Sequence, residues 1–75
     1  MARKVVKGAE LLVYLRNIQN KTQQQIAEST GIKQPMLSEI ERGKHETIRL
    51  PTLEKLMKEL HFTADEYLFG REVEI

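Results

Sequence analysis

Apolar residues recur along most of this chain at intervals of three and four, the spacing that collects side chains on one face of a helix. Leu11, Leu12, Leu15 and Ile18 predict a first helix over residues 8–19. Ile26 and Ala27 are the inward positions of a second, and Leu37 with Ile40 those of a third. Leu53, Leu56, Met57 and Leu60 predict a fourth, and Leu68 is the inward residue of a short fifth. The β-branched residues form no alternating strand of useful length, apart from a short extended tail at Val73 and Ile75.

Helix boundaries follow from the residues between these faces. Thr22 with Gln25, and Thr63 with Glu66, are capping-box pairs, in which side chain and backbone satisfy each other's exposed groups. The second helix ends near Ser29, and Gly31 supplies a residue able to take positive φ. The third starts near Lys33 or Gln34, with Pro35 in its first turn, where a missing N–H costs no helical bond. Gly43 stops it, residues 44–50 form a loop, Pro51 opens the fourth helix and Gly70 ends the fifth. The prediction is an all-α fold, a compact five-helix domain.

Length adds that residues 1–75 are one domain, with a core at about residues 8–70 and ends at 1–7 and 71–75 that are flexible or bind a partner. A domain of this size buries only about 60% of the surface of its unfolded chain, so a partner copy would help stabilise it. The absence of cysteine excludes disulfides and thiolate metal sites. Val5 and Val6 are the only large apolar residues near the start, too few for a signal peptide, and no run approaches a membrane span. A cytoplasmic protein away from the membrane is the expectation. Charged residues make up 31% of the chain but the net charge is only +1, so the total charge does not by itself indicate nucleic acid. His45 and His61 are far apart and lack ligand company, so no metal site is expected. No nucleophile triad, phosphate loop or paired-carboxylate pocket is present in the pattern: Thr30-Gly31 reads as a turn and Gly43-Lys44 as a helix stop. Neither an enzyme nor a cofactor is expected.

The segment from Thr22 to Gly43 is the most informative. Two helices crossing at a steep angle through a short turn bring their backbones close together. Ala27 is small enough for the crossing and Gly31 suits the turn. Ile32 caps the small core, and Leu37 and Ile40 pack the third helix on the second. The far side of the third helix is then free to project.

With these residues the chain resembles the Cro and phage-repressor type of helix-turn-helix proteins, the xenobiotic-response-element-like group. The shared residues are Thr22-Gln23, Ile26-Ala27, Gly31-Ile32, Leu37-Ser38, Ile40-Glu41 and Gly43, with Leu15-Arg16 upstream and Pro51, Leu53, Leu56, Leu60 and Leu68 downstream. The resemblance implies a repressor-like fold whose helix-turn-helix is formed by helices 2 and 3. It also implies binding to double-stranded DNA, with the third helix in the major groove and the second across the backbone. Lys33, Gln34, Met36, Ser38 and Glu39 are then the base-reading candidates. Gln34 is foremost, because a Gln amide pairs bidentately with adenine N6 and N7. Met36 either meets a thymine methyl or packs, and Glu39 either accepts from cytosine N4 or is exposed surface. Thr22, Gln23, Arg42 and Lys44 are the phosphate candidates, and Arg16 with Glu41 is a structural ion pair. Lys33, Arg42, Lys44 and nearby Lys21 gather basic charge around the groove face.

Three departures from the family stand out. Lys33 replaces the usual Ser or Thr cap, His61 replaces the Gly that often follows the fourth helix, and the 44–50 loop is longer than in compact relatives. Relatives commonly dimerise on palindromic sites. Ile48, Leu50, Tyr67 and Phe69, which have no obvious place in a small core, are candidates for a homodimer interface, with Val73 and Ile75 beside them. The expected function is a dimeric repressor or controller of transcription. The alternatives are an antitoxin that binds a toxin and represses its own operon, or a protein-binding module on the same scaffold.

Overall fold

The computed structural model describes residues 2–44 and 48–74. His45, weighed above as a metal ligand, and Ile75, part of the apolar tail, lie outside them. In order, the elements are β1 (Arg3–Val6), α1 (Gly8–Ile18), α2 (Gln23–Thr30), α3 (Gln34–Glu41), α4 (Leu50–Leu60), α5 (Ala64–Phe69) and β2 (Arg71–Glu74).

Local chemistry accounts for most of the helix ends. Thr22 Oγ1 accepts from the Gln25 N–H while Gln25 Oε1 accepts from the Thr22 N–H, and Thr63 with Glu66 repeats the arrangement at α5. Pro residues fall in the first turns of α3 and α4. Gly31 ends α2 in the left-handed conformation, at φ +78°.

The helices close around one core: Leu11, Leu12 and Leu15 of α1, Ile26 of α2, Ile32 in the turn, Leu37 and Ile40 of α3, Leu56 and Leu60 of α4, and Phe62. Helix α1 packs on α3, α4, α5 and β1. Burying each such aliphatic side chain is worth about 1.5–3 kcal/mol.

Two apolar residues depart from the sequence pattern. Ile18 is 54% exposed, because it lies in the last turn of α1, beyond Leu15, where core cover ends. Leu68 is 61% exposed. A helix as short as α5 presents one narrow face to the core, and Tyr67 occupies it, its ring 6.2 Å from that of Phe62. Leu68, about 100° further round, points outward.

The two ends of the chain meet. β1 and β2 are antiparallel, with Arg3 opposite Glu74 and Val6 opposite Arg71. Val6 and Val73 enter the core, which therefore reaches beyond residues 8–70. Arg3–Glu72, Lys4–Glu10 and Arg71–Glu66 ion pairs surround the sheet. Gly70 joins α5 to β2 at φ +106°, and a Cβ there would land on the Val5 side chain. Among the described residues, no helix is long and apolar enough to cross a membrane.

Candidate nucleic-acid interface

The α2–α3 pair is fixed first at its turn. Thr30 Oγ1 donates to the Ile26 carbonyl at 2.6 Å and accepts from the Ile32 N–H at 3.3 Å. These bonds hold the turn over Ile32, which is buried. On α3, Leu37 and Ile40 face the core. The other face shows Gln34, Met36 and Glu39 to solvent, with Ser38 half-buried. Lys33 precedes the helix as its exposed N-cap and contributes no side-chain capping bond. Arg42 and Lys44 follow it, both exposed. Cations therefore stand at both ends of a polar helical face.

The ends of α1 and α3 are joined through one carboxylate. Arg16 Nε and Nη2 donate to Glu41 Oε2 and Oε1 at 2.9 and 3.0 Å, a bidentate pair. The Glu41 side chain is only 6% exposed. Arg16 Nη1 donates to the Lys21 carbonyl at 3.0 Å. Removing one partner of such a pair strands the other charge and costs about 3–5 kcal/mol.

Among the phosphate candidates, Arg42 and Lys44 stand in solvent, and the exposed Thr22 uses its hydroxyl oxygen as a cap. Gln23 is half-buried, and its Nε2 donates to Glu41 Oε1. Lys21 is turned away from the groove face: its Nζ donates to the Glu59 carbonyl and to Glu59 Oε2, at 3.1 and 2.9 Å. Spacing could not reveal that bond, since α4 enters only through the tertiary fold. The Lys21 hydrogen bond, with a smaller contribution from Ser29, holds the Glu59 carboxyl below its ordinary range.

The apolar interface candidates divide. Ile48 and Tyr67 pack partly against the core, whereas Leu50 and Phe69 are 64% and 77% exposed. Burial raises the Tyr67 hydroxyl above its usual pKa. Leu68 and Val5 add exposed apolar surface that the sequence pattern missed. With only six residues in α5, periodicity carries no signal that could have separated Leu68 from Tyr67. Among the described residues no cluster could hold a metal ion, and His61 serves as the left-handed cap of α4.

A short two-helix crossing whose second helix is tied to α1 by an ion pair, and is buried on one side and polar on the other, defines a helix-turn-helix DNA-binding domain. The chain belongs to the Cro/C1-type helix-turn-helix family of DNA-binding transcription regulators, whose model, described as helix-turn-helix, matches residues 12–67. A solved complex of SinR protein with SinI protein contains a chain of similar fold: TM-score 0.75 and 23% identity, covering 81% of this chain and 59% of that one. This chain thus spans less than two thirds of its neighbour's length, and at that identity the likeness is one of fold. No curated protein matches its sequence.

Proposed function

We propose that the protein is a sequence-specific regulator that binds palindromic operator DNA as a homodimer and acts as a repressor or controller in the cytoplasm. The observation that carries this is the division of α3 into a buried side, Leu37 and Ile40, and a solvent side, Gln34, Met36 and Glu39. A helix held in this way presents its N-terminal side chains to a major groove.

Gln34 is the leading base reader, through an adenine edge. Lys33, Met36, Ser38 and Glu39 are its neighbours on that face. Arg42, Lys44 and Thr22 suit phosphates, which set register rather than sequence. The exposed Leu50 and Phe69 are the leading dimer contacts, with Ile48 and Tyr67 supporting them from the core side.

Binding to a random-sequence duplex across a salt series tests the electrostatic part. Each neutralised phosphate contributes a slope of about −0.9 to log K against log salt, so Lys33, Arg42 and Lys44 together predict a clearly negative slope. A flat plot would remove DNA as the ligand.

A protein partner on the same scaffold is the second reading. It draws on the exposed Leu68 and Phe69 and on the neighbour's presence in a complex with a second protein.

A further inference from the structure

Sulfur chemistry in this chain falls to methionine, since there is no cysteine to oxidise first. Of its three methionines, Met36 and Met57 lie among the described residues, and they are placed differently. Met57 is half-buried on α4 and packs against the core. Met36 is 37% exposed on α3, on the face it shares with Gln34 and Glu39. The buried residues that hold α3 to the core are Leu37 and Ile40, and Met36 is not one of them. The more open of the two thioethers therefore stands on the helix that would read DNA.

A thioether is a flexible apolar group, whereas its sulfoxide is polar, with an oxygen that accepts hydrogen bonds and no hydrogen to donate. In a core, such an oxygen would lack a partner. On the solvent face of α3, water solvates it, so the free domain keeps its stability. Against DNA its surroundings change. Phosphate oxygens, purine N7, guanine O6 and thymine O4 are all acceptors, and thymine adds an apolar methyl. A sulfoxide oxygen gains no bond from any of these and loses the water it had. Only the amino groups of adenine and cytosine donate in the major groove, and a site selected with the thioether has no reason to place one there.

We propose that Met36 is a reversible oxidation site, through which a peroxide lowers DNA binding without unfolding the domain. This rests on the DNA-binding reading above. With hydrogen peroxide, a sulfur lone pair attacks one oxygen, and the S–O bond forms as the O–O bond breaks. The proton on the attacked oxygen passes to the departing one, which leaves as water. Sulfur is oxidised by two electrons and the peroxide is reduced by two. The test treats the whole protein with hydrogen peroxide and locates the sulfoxide by peptide mass mapping. It then measures the urea midpoint and the affinity for the tightest duplex selected from random sequences. Met36 should be converted before Met57, with the midpoint unchanged. Affinity should fall roughly five- to 150-fold, the range for burying an unsatisfied polar group. Methionine sulfoxide reductases for both epimers should restore it. Met36→Leu keeps the apolar bulk and removes the sulfur, so its own affinity should be the same before and after treatment. The proposal is overturned if Met57 is oxidised first or if the midpoint falls as Met36 is converted. It is also overturned if the Met36 sulfoxide binds as tightly as the thioether, or if peroxide weakens Met36→Leu as it does wild type. If untreated wild type binds no duplex, the DNA reading itself fails, and the mapping with the urea midpoint still decides separately whether Met36 is the peroxide-reactive site.

Discussion

His61 closes α4 at φ +62° and ψ +65°, a left-handed conformation that a residue with a Cβ adopts at a cost of about 1–2 kcal/mol. Glycine avoids that cost but loses more freedom on folding, by about 0.5–1 kcal/mol. His61→Gly should therefore stabilise the domain by about 0.5–1 kcal/mol, read as a higher urea midpoint; an unchanged or lower midpoint would mean that the imidazole contributes more than its backbone costs. Glu59 acts through charge. Lys21 holds its folded carboxyl below the ordinary value of 4.5. That stabilisation is fully present above about 4.5 and is lost as pH falls through the folded value. Acid unfolding followed from pH 6 downward should begin with a shallower loss in Glu59→Gln than in wild type, and superimposable profiles would count against the Lys21 pair as a source of stability. At this scale the sequence was most legible where a residue acts on its own backbone: Thr22, Thr63, Gly31 and His61 all mark helix ends by local chemistry. It was least legible where a side chain has two possible partners. Nothing near Gln23 in the sequence says that its amide turns to Glu41, and nothing near Lys21 says that it turns to Glu59.

Between elements, α3 shows a trade of stability for charge. Its N-cap, Lys33, has no oxygen to offer the helix's first N–H groups, whereas Thr22 and Thr63 cap α2 and α5. Lys33→Ser should stabilise the domain by about 1 kcal/mol. If Lys33 meets a phosphate, the same substitution should make the salt slope of DNA binding shallower by about 0.9. Greater stability with an unchanged slope would place Lys33 away from the backbone. The five helices were readable because each repeats its apolar face several times within a short stretch of chain. Of the two strands, only an extended tail at Val73 was readable; β1 and the pairing were not, because each strand has four residues and pairs with the opposite end of the chain, with no turn between them to signal a hairpin. The charges of β2 also guard its edge. Joining β2 to its own copy about a two-fold axis keeps the faces matched, so it sets Glu72 against Glu72 or Glu74, Glu74 against Glu74, or Arg71 against Arg71, and like charges directly opposite are destabilising. A homodimer is therefore better served by the exposed Leu50, Leu68 and Phe69 than by the strand.

In the whole molecule, the core is continuous from Val6 to Val73, and α1 lies at its centre. The domain thus holds α3 by apolar packing on one side and by the Arg16–Glu41 pair at its end. Residues that fix the fold and residues that would read DNA are consequently different sets, and only the first set could be judged from steric reasoning on the sequence. The most direct test of DNA reading by α3 is selection of bound sequences from random duplex DNA, run in parallel with wild type and Gln34→Ala. The wild type should select a palindrome with half-sites about 34 Å apart, one helical turn, as expected for a dimer presenting two α3 helices. Gln34→Ala should lose preference at one base position in each half-site and keep the rest, at about 1–3 kcal/mol of discrimination. A wild type that enriches no sequence, or a Gln34→Ala variant that enriches the same one at every position, would contradict base reading through Gln34 on α3.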